Sequence, residues 1–593
     1  MTLDSTLPPP IPPAFEPAAD APQALDEAGV RLVKGGRRAW RLRLLPQNNA
    51  HRSLGYPDLI GLLLHQRGMR TTEQCREFLG DLAFTEHDPF QLPDMDRAVD
   101  RIMAAIRGGE RIAIYSDFDV DGVTALAQLS EGLRELGADV LPYIPDRFGE
   151  GYGLNMPAIT ELSEQGARLM ITADCGISAV DEVRHAIDCG VDVIIMDHHT
   201  LPPDLPEAYA TVNPKAPDSI YPCRDLASGG LAYKLLQAVY AAAETTFDKE
   251  RYVELAALAT VCDMVPLYGE NLHILRRGIE AMKRTRRPGL LALLDVAGVE
   301  QAQIDEGAFG WKIGPRLNAA GRIAHAMASF NLLTATDEAT ARGIASEIDR
   351  LNLERRQVQA ECTRLARELI AEEELGPIII TGHESFSPGV VGLVAGRLAE
   401  EFHRPSIVYE IGEETSRASA RSIPEFSIVA ALQEAGDLFE RYGGHSQAAG
   451  FTIKNSRLPE LKARLAEIAG RELEGVDLRP SLDIDAVVPL RALRHEELGW
   501  LGRLSPFGIG NPQPTFLSPG VIVREARQVG ADGDHLRLRL RDGTMTWSAI
   551  AFGQGDAEVR EGMTCDVVYN VTPDRFSGGF QLEVLDIVES KAP

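Results

Sequence analysis

Between residues 110 and 196 the chain repeats one rhythm of short apolar run, polar loop and amphipathic stretch. The spacing predicts strands over 111–116, 139–144, 168–173 and 192–196. Helices fall between them, over 123–136, 157–165 and 180–189, with Pro157 at a first helical position where a missing N–H costs nothing. Runs this apolar suit strands buried on both faces, and so a parallel sheet covered by helices. Binding sites in such sheets lie beyond the carboxyl ends of the strands.

The pattern then changes three times. Residues 225–285 read as mainly helical, and 335–375 as one long helix. In that helix Asp337, Glu347, Arg350, Glu354, Arg355, Arg356 and Arg364 interrupt the apolar positions. Its heptad seam is too weak for a coiled coil, which leaves a spacer between domains. Residues 376–470 form a second α/β unit that opens with a strand over 377–381 and holds a glycine-rich segment at 442–451. Beyond Glu474 the texture is β: runs over 521–528, 535–541, 545–552, 564–571 and 579–588 alternate, split by turns such as Asp532-Gly533 and Asp542-Gly543. Five strands at this spacing suit a small closed barrel of the OB type.

Ahead of the first strand, short helical patterns occur at 56–66 and 72–79, with caps expected at Ser53 and at Thr71 or Thr72. The proline- and alanine-rich start has no periodicity and predicts a disordered tail. The expected organisation is α/β with a terminal barrel: tail 1–27, N-terminal helical segment 28–107, parallel-sheet domain 108–334, connecting helix 335–375, second α/β domain 376–474 and β-barrel 475–593.

Composition narrows the setting. No run is long and apolar enough to span a membrane, and no secretory signal opens the chain. The 7 cysteines are scattered, with no C-x-x-C pair. That argues against a zinc ribbon and a disulfide framework, and for a reducing compartment, the cytoplasm. The net charge of −27 argues against a protein that coats nucleic acid broadly, and implies either an unrelated substrate or a narrow basic track inside an acidic body.

The chemistry gathers where apolar elements end. Asp117, Asp119 and Asp121 alternate just past the first predicted strand, with Gly122 expected to close a turn before a helix starting near Val123. Three carboxylates so placed repel one another, and a divalent cation is the simplest remedy. A calcium loop also begins D-x-D-x-D-G, but it needs an acid at its twelfth position, where Gln128 stands. Further clusters follow the next elements: Asp174-Cys175-Gly176, Asp197-His198-His199, and Asp263 at the end of an apolar helix. Singly, each has a plain explanation. Asp174 fits a helix N-cap before Ile177, the two histidines a loop surface, and Asp263 a helix-terminal turn. Jointly, four clusters at the ends of apolar elements of one domain read as a metal centre. Among mixed Asp and His ligands the carboxylates favour Mg²⁺ or Mn²⁺ and the imidazoles lean toward Mn, Zn or Fe, while the absence of thiolate argues against a structural zinc. The ligands exceed one ion, and a carboxylate-bridged pair about 3.5–4 Å apart would use them all. Such a pair activates water and clamps both oxygens of an in-line displacement at phosphorus, which points to phosphoester or phosphoanhydride hydrolysis.

D-F-D-V-D-G-V-T-A, A-D-C-G-I-S, D-H-H and C-D-M-V-P-L together resemble the four motifs of the DHH phosphoesterase superfamily, and within it the RecJ family of single-stranded-DNA exonucleases. The resemblance runs from about residue 40 to the C-terminus. It is supported by I-P-D-R-F-G-E-G-Y-G (144–153), V-N-P-K (212–215), G-P-R-L-N-A-A-G-R (314–322), S-A-R-S (419–422), G-G-H-S-Q-A-A-G-F (443–451) and P-F-G-I-G-N-P-Q-P (506–514). It implies a DHH catalytic domain, a DHH-associated substrate-binding domain and an OB-fold. Asp121, Asp174, His198 and Asp263 would hold one Mn²⁺ (or Mg²⁺); Asp117, Asp119 and Asp174 would hold a second, with Asp174 as bridge. His199 would act at the scissile phosphate, and Asp197 would orient the histidines. Arg147, Arg322, Ser419 and Arg421 would receive the 5′ phosphate or the adjacent backbone. Gly443, Gly444 and His445 would grip the strand. The implied activity is 5′→3′ release of mononucleotides in DNA repair and recombination, alongside a single-strand-binding protein and a helicase.

Two ions would carry four positive charges against five carboxylates, so arginines are needed before phosphate can approach. A narrow basic channel inside an acidic body reconciles such a substrate with the net charge. One departure stands out: the family's W-H-P-G is replaced here within Ser385-Phe386-Ser387-Pro388-Gly389, which predicts the loss of a local substrate contact. Two rival functions share the motifs. A DHH phosphodiesterase for short oligonucleotides, cyclic dinucleotides or pyrophosphate usually lacks the long C-terminal barrel. A non-catalytic strand-binding scaffold would have lost metal ligands, and all are present here.

Overall fold

The computed structural model describes residues 30–33, 35–372, 374–574 and 578–590. The expected tail, 1–27, lies outside them. The chain divides into two compact units: Thr85–Val476 with Gly508–Gly510, and the described part of Met1–Phe84 with Asp477–Phe507 and Asn511–Pro593.

The first unit is built on a five-stranded parallel sheet. Its spatial order is Asp139–Tyr143, Arg111–Ser116, Ala167–Ala173, Asp192–Met196 and Ala210–Val212. Buried Ile112, Ile114, Ile171, Val193 and Ile195 fill it from both faces, as double burial requires. Strand order reverses beside Arg111–Ser116, so the crevice past its carboxyl end is the topological switch point where ligands collect. Helices Ser228–Ala242, Lys249–Cys262 and Gly269–Met282 pack alongside.

The helix after the first strand differs from expectation. It starts at Val120, because the Asp119 carboxylate caps it, accepting from the N–H groups of Asp121 (2.9 Å) and Gly122 (3.2 Å). Gly122 is therefore a helical residue and closes no turn. A Cβ there would meet the Asp117 carbonyl oxygen at 2.6 Å, so only glycine lets the helix lie this close to the strand end.

The long helix spans Glu338–Ala371, capped by Asp337, whose carboxylate accepts from Thr340 N–H at 2.9 Å. Arginines and glutamates three or four residues apart pair along it, as Arg350 does with Glu347 and Glu354. It leads into a second, mixed sheet ordered Phe439–Gly444, Ala448–Lys454, Thr415–Arg421, Ser406–Ile411 and Ile379–His383, in which only the last pair is parallel.

In the other unit, Thr515–Val529, His535–Asp542, Met545–Ala551, Phe580–Glu589 and Thr564–Pro573 pair in that spatial order. Pairing of the first with the last closes a five-stranded barrel. The division at residue 84 cuts through the segment 28–107, and this unit's part of that segment is not purely helical. Strands Val30–Val33 and Ala39–Arg43 pair with each other, and the second runs parallel to Ser481–Ile484. Buried Trp40 donates its indole N–H to Asp586 at 2.8 Å. Partners more than four hundred residues away leave no local pattern to read. Thr71 does cap the helix Thr72–Phe78, in a reciprocal capping box with Gln74. Ser53 caps nothing; it lies in the 3-10 segment Gln47–Leu54, and the next helix follows Pro57.

Candidate active site

Three strands deliver their carboxylates to one crevice. Asp117 follows Arg111–Ser116, Asp174 follows Ala167–Ala173, and Asp197 follows Asp192–Met196. Asp263 arrives from the side as the C-terminal cap of Lys249–Cys262. Asp174 is not an N-cap: its backbone is left-handed (φ 67°), and the following helix starts only at Val180.

The ligand atoms fall into three overlapping groups, each within 4.8 Å: Asp121 with His198 and Asp263; Asp174 with His198 and His199; and Asp117 with Asp119 and Asp174. The His198 Nε2 lies 3.1 Å from Asp174 Oδ1 and 3.6 Å from both Asp121 Oδ2 and Asp263 Oδ2. Asp121 is aimed by two backbone N–H groups at the start of Ser228–Ala242, those of Ser228 (2.8 Å) and Gly229 (2.7 Å). Asp197 stands behind the histidines. Its carboxylate accepts from the N–H groups of Ile177, His198 and His199 and bonds His199 Nδ1 at 2.7 Å. Nε2 is therefore the His199 ring nitrogen that Asp197 does not engage.

The electrostatics identify what is missing. Burial, then the charge of a neighbouring carboxylate, raises Asp117, Asp121 and Asp174 well above the usual range. Asp263 is pushed up to about 7 by burial and by Asp119. Burial and the charge of His199 drop His198 to about 3, so it is neutral. Asp197 is the exception. Burial would raise it, but its bonds from His199 and the backbone hold it low. His199 is correspondingly raised, its bond to Asp197 outweighing its burial. Asp117 also has a buried Oδ1 with no protein partner. An all-oxygen and imidazole donor set, a neutral histidine and carboxylates that cannot all ionise unaided fit divalent cations of the Mn²⁺ or Mg²⁺ kind.

Beside the acids lies a group of arginines. Arg147 stacks over the Phe118 ring, 4.6 Å from its centroid. Arg322 is lowered to about 9 by burial and by Arg147, and Arg421 is lowered for the same two reasons. Arg421 also donates to Ser419 Oγ at 3.1 Å. The helix Val391–Phe402 points its N-terminus at this pair. A Cβ on Gly392 would sit 2.9 Å from Ser419 Oγ and 3.2 Å from Arg421 Nη2, so a larger residue there would have to displace these two polar groups. Cations, a hydroxyl and a helix N-terminus together make an anion pocket.

Gly443 and Gly444 end the strand Phe439–Gly444, and His445 opens the tight turn after it, its N–H donating to Ala448 O at 2.8 Å. The turn carries the His445 ring to a parallel stack on His199, with centroids 6.4 Å apart.

At the altered W-H-P-G position Phe386 is 1% exposed and packs with Val390, Val394 and Val408 in the core of the second sheet, which agrees with the expected loss of a contact there. Its neighbour Gly389 touches the site through its carbonyl, which accepts from Arg322 Nη1 at 3.3 Å.

Sequence reasoning misses several contributors. Ser228 and Gly229 act through backbone N–H groups, which any residue has. Asn318 accepts from Val120 N–H at 3.1 Å. Arg355 reads as part of a solvated helix face, yet its Nε is buried without a partner and its charge adds to the depression of Arg322. Tyr152 has its hydroxyl 3.4 Å from the Asp174 carbonyl and its ring edge-on to His199. It belongs to the 144–153 motif, which by itself assigns the ring no role.

Comparison with known proteins agrees with this architecture. Three family models match: the DHH family N-terminal domain over residues 111–260, the DHHA1 domain over 375–471 and the RecJ OB domain over 484–586. The single-stranded-DNA-specific exonuclease RecJ of Bacillus subtilis is 39% identical over 508 residues, which span 85% of this chain and 64% of that protein. Its counterpart in Salmonella typhimurium is 32% identical over 559 residues, 89% of this chain and 95% of that protein. The crystal structure of RecJ in complex with Mn²⁺ from Thermus thermophilus superposes with a TM-score of 0.80 at 30% identity, covering 93% of this chain and 80% of that one. A Mg²⁺ complex from the same source gives 0.75 at 29%, covering 93% of this chain and 79% of that one.

Proposed function

The chain belongs to the family of the single-stranded-DNA-specific exonuclease RecJ, and from that footing we propose that it degrades single-stranded DNA in the 5′→3′ direction with divalent metal ions, releasing 5′-mononucleotides. The observation that carries the reading is the set of three ligand groups sharing Asp174 and His198 beside an arginine-lined anion pocket.

In this reading Asp121, His198, Asp263 and Asp174 hold one ion, and Asp117, Asp119 and Asp174 the other. When bound, two such cations neutralise the phosphodiester and stabilise the attacking and leaving oxygens of an in-line displacement. The protein's own groups do the rest. Ser228 and Gly229 N–H fix the Asp121 carboxylate, so it needs no reorganisation to receive a cation. Asp197 keeps a proton on His199 Nδ1 and raises its basicity, which presents a cationic Nε2–H to a phosphate oxygen or the departing 3′ oxygen. Arg147, Arg322, Arg421 and Ser419 bind the terminal 5′ phosphate, setting how far the strand enters and hence which bond meets His199. His445, with Gly443 and Gly444, closes over the nucleotide from the other domain.

No helix among the described residues is long and apolar enough to cross a membrane. All 7 cysteines are free, which supports a cytoplasmic setting. There a helicase and a single-strand-binding protein would supply and hold the substrate. Oligonucleotides labelled at either end test the reading. With Mn²⁺ the 5′ label leaves first as a mononucleotide, and with a chelator nothing is released. Early loss of the 3′ label would refute the polarity.

A further inference from the structure

The most exposed large apolar side chain of the described residues is Trp311, at 85%. It lies in a π-helical turn, Phe309–Ile313, a deviation that occurs preferentially at functional sites. The turn is rigidly mounted: Phe309 and Ile313 on either side of the indole are fully buried. Its platform is the last turn of Lys249–Cys262, the helix that ends in Asp263. A Cβ on Gly310 would meet Val261 Cγ1 at 3.5 Å, and one on Gly314 would stand 2.5 Å from Cys262 Sγ. At about 1.5 Å of rise per residue, those contacts lie within one helical turn of Asp263.

Exposed apolar side chains also occur in the segment that follows Asp263 and in the loop bonded to it. Met264, directly after Asp263, is 65% exposed and held at φ 59°. Ile509, whose carbonyl accepts from Leu267 N–H at 2.6 Å, is 49% exposed. A fully displayed indole does nothing for the core. Carried on a turn packed against the end of the helix that presents Asp263, it matches a flat apolar ligand that passes this end of the crevice. The bases of an unpaired strand are such ligands, because both their faces are open, whereas bases in a duplex already stack on one another.

We propose that Trp311 is a stacking platform for an unpaired base of the bound strand, placed beside the Asp263 end of the crevice, and that it contributes to the preference for single strands. The inference rests on the proposed activity on single-stranded DNA. Titrating the full-length protein with a phosphorothioate single strand, which resists hydrolysis, tests it directly. Of the 4 tryptophans, Trp40 and Trp547 are buried and Trp500 is half-buried, so Trp311 is the indole best placed to report on a ligand. Emission should be quenched in the native protein and the quenching largely abolished in Trp311→Phe. Trp311→Ala should raise KM for a long single strand about tenfold, in the range expected for one lost base–aromatic stack, with kcat little changed. Trp311→Phe should restore most of that KM. Abasic nucleotides at the stacked position should weaken native binding but add nothing to the loss in Trp311→Ala. If the native protein cuts and binds single strands while both variants match it in KM and in quenching, the inference fails alone, and the indole serves some other partner. If the native protein neither binds nor cuts them, the underlying activity fails first.

Discussion

Lys234 and Glu270 have side chains 0% and 1% exposed, as deeply buried as Asp121 and Asp174, but their charges cancel where those of the aspartates add. Lys234 Nζ lies 2.8 Å from Glu270 and donates to the His87 carbonyl at 2.7 Å, while the Tyr221 hydroxyl and the His87 N–H complete the acid's shell. The lysine and the acid are each other's charge partners, and neighbouring groups of the fold bond both. A few elements away, Asp117, Asp119, Asp121, Asp174 and Asp263 gather around two histidines in overlapping groups, with more acids than neighbouring protein cations offset. Both clusters are polar and buried, so burial alone does not separate structure from function. Charge balance does: a closed network holds the fold, and an open one waits for a ligand.

That contrast can be broken from either side. The largest effect is expected from Asp174→Ala, which removes the ligand common to two of the groups. Hydrolysis should fall by at least about a thousandfold, since several kcal/mol of charge stabilisation depend on the ions it helps hold. The same change should raise the melting temperature of the metal-free protein, because it removes a buried like charge. Lys234→Met should do the reverse. Leaving Glu270 unpaired should cost about 3–5 kcal/mol in a denaturation series, while metal affinity per folded molecule is kept.

Smaller changes sharpen the picture within the site. Asp197→Asn should lower kcat by about 10–100-fold, as expected for loss of a group that orients a reacting histidine. Because Asp197 holds His199 raised, the variant should also move the alkaline limb of the rate profile to lower pH. Arg322→Gln should weaken binding of 5′-phosphorylated strands by about tenfold, and of 5′-hydroxyl strands less, one charge-assisted contact being lost.

The mildest test is pH. Asp263 sits at about 7 in the metal-free fold, against its ordinary value of 3.8. The folded state therefore binds its proton more tightly than the unfolded chain. Its stabilising contribution is present below the ordinary value and is lost as pH rises toward 7. Chelated protein should melt at progressively lower temperature across that window, Asp263→Asn should flatten the fall, and Mn²⁺ should stabilise more at pH 8 than at pH 5. A fall of equal size in Asp263→Asn would remove this assignment.

Local physics made much of this legible. Periodicity marks the parallel strands, since burial on both faces leaves no polar alternation to hide them. Chemistry that must sit at strand ends marks Asp117, Asp174 and Asp197. The acidic composition, once the motifs pointed to a nucleic-acid strand, called for a confined basic site instead of a basic surface.

Tertiary structure decided the rest, because it turned on partners distant in the chain. Capping by Asp119 started its helix at Val120 and turned Asp121 toward the N–H groups of Ser228 and Gly229, more than a hundred residues on. Packing of the second sheet took Phe386 into a core, where its type alone would have allowed an exposed ring. Strand pairing with Ser481–Ile484 drew Ala39–Arg43 out of the helical segment that local periodicity predicts. A residue's type limits what it can do, and hydrogen-bond geometry between remote segments selects which of those things it does.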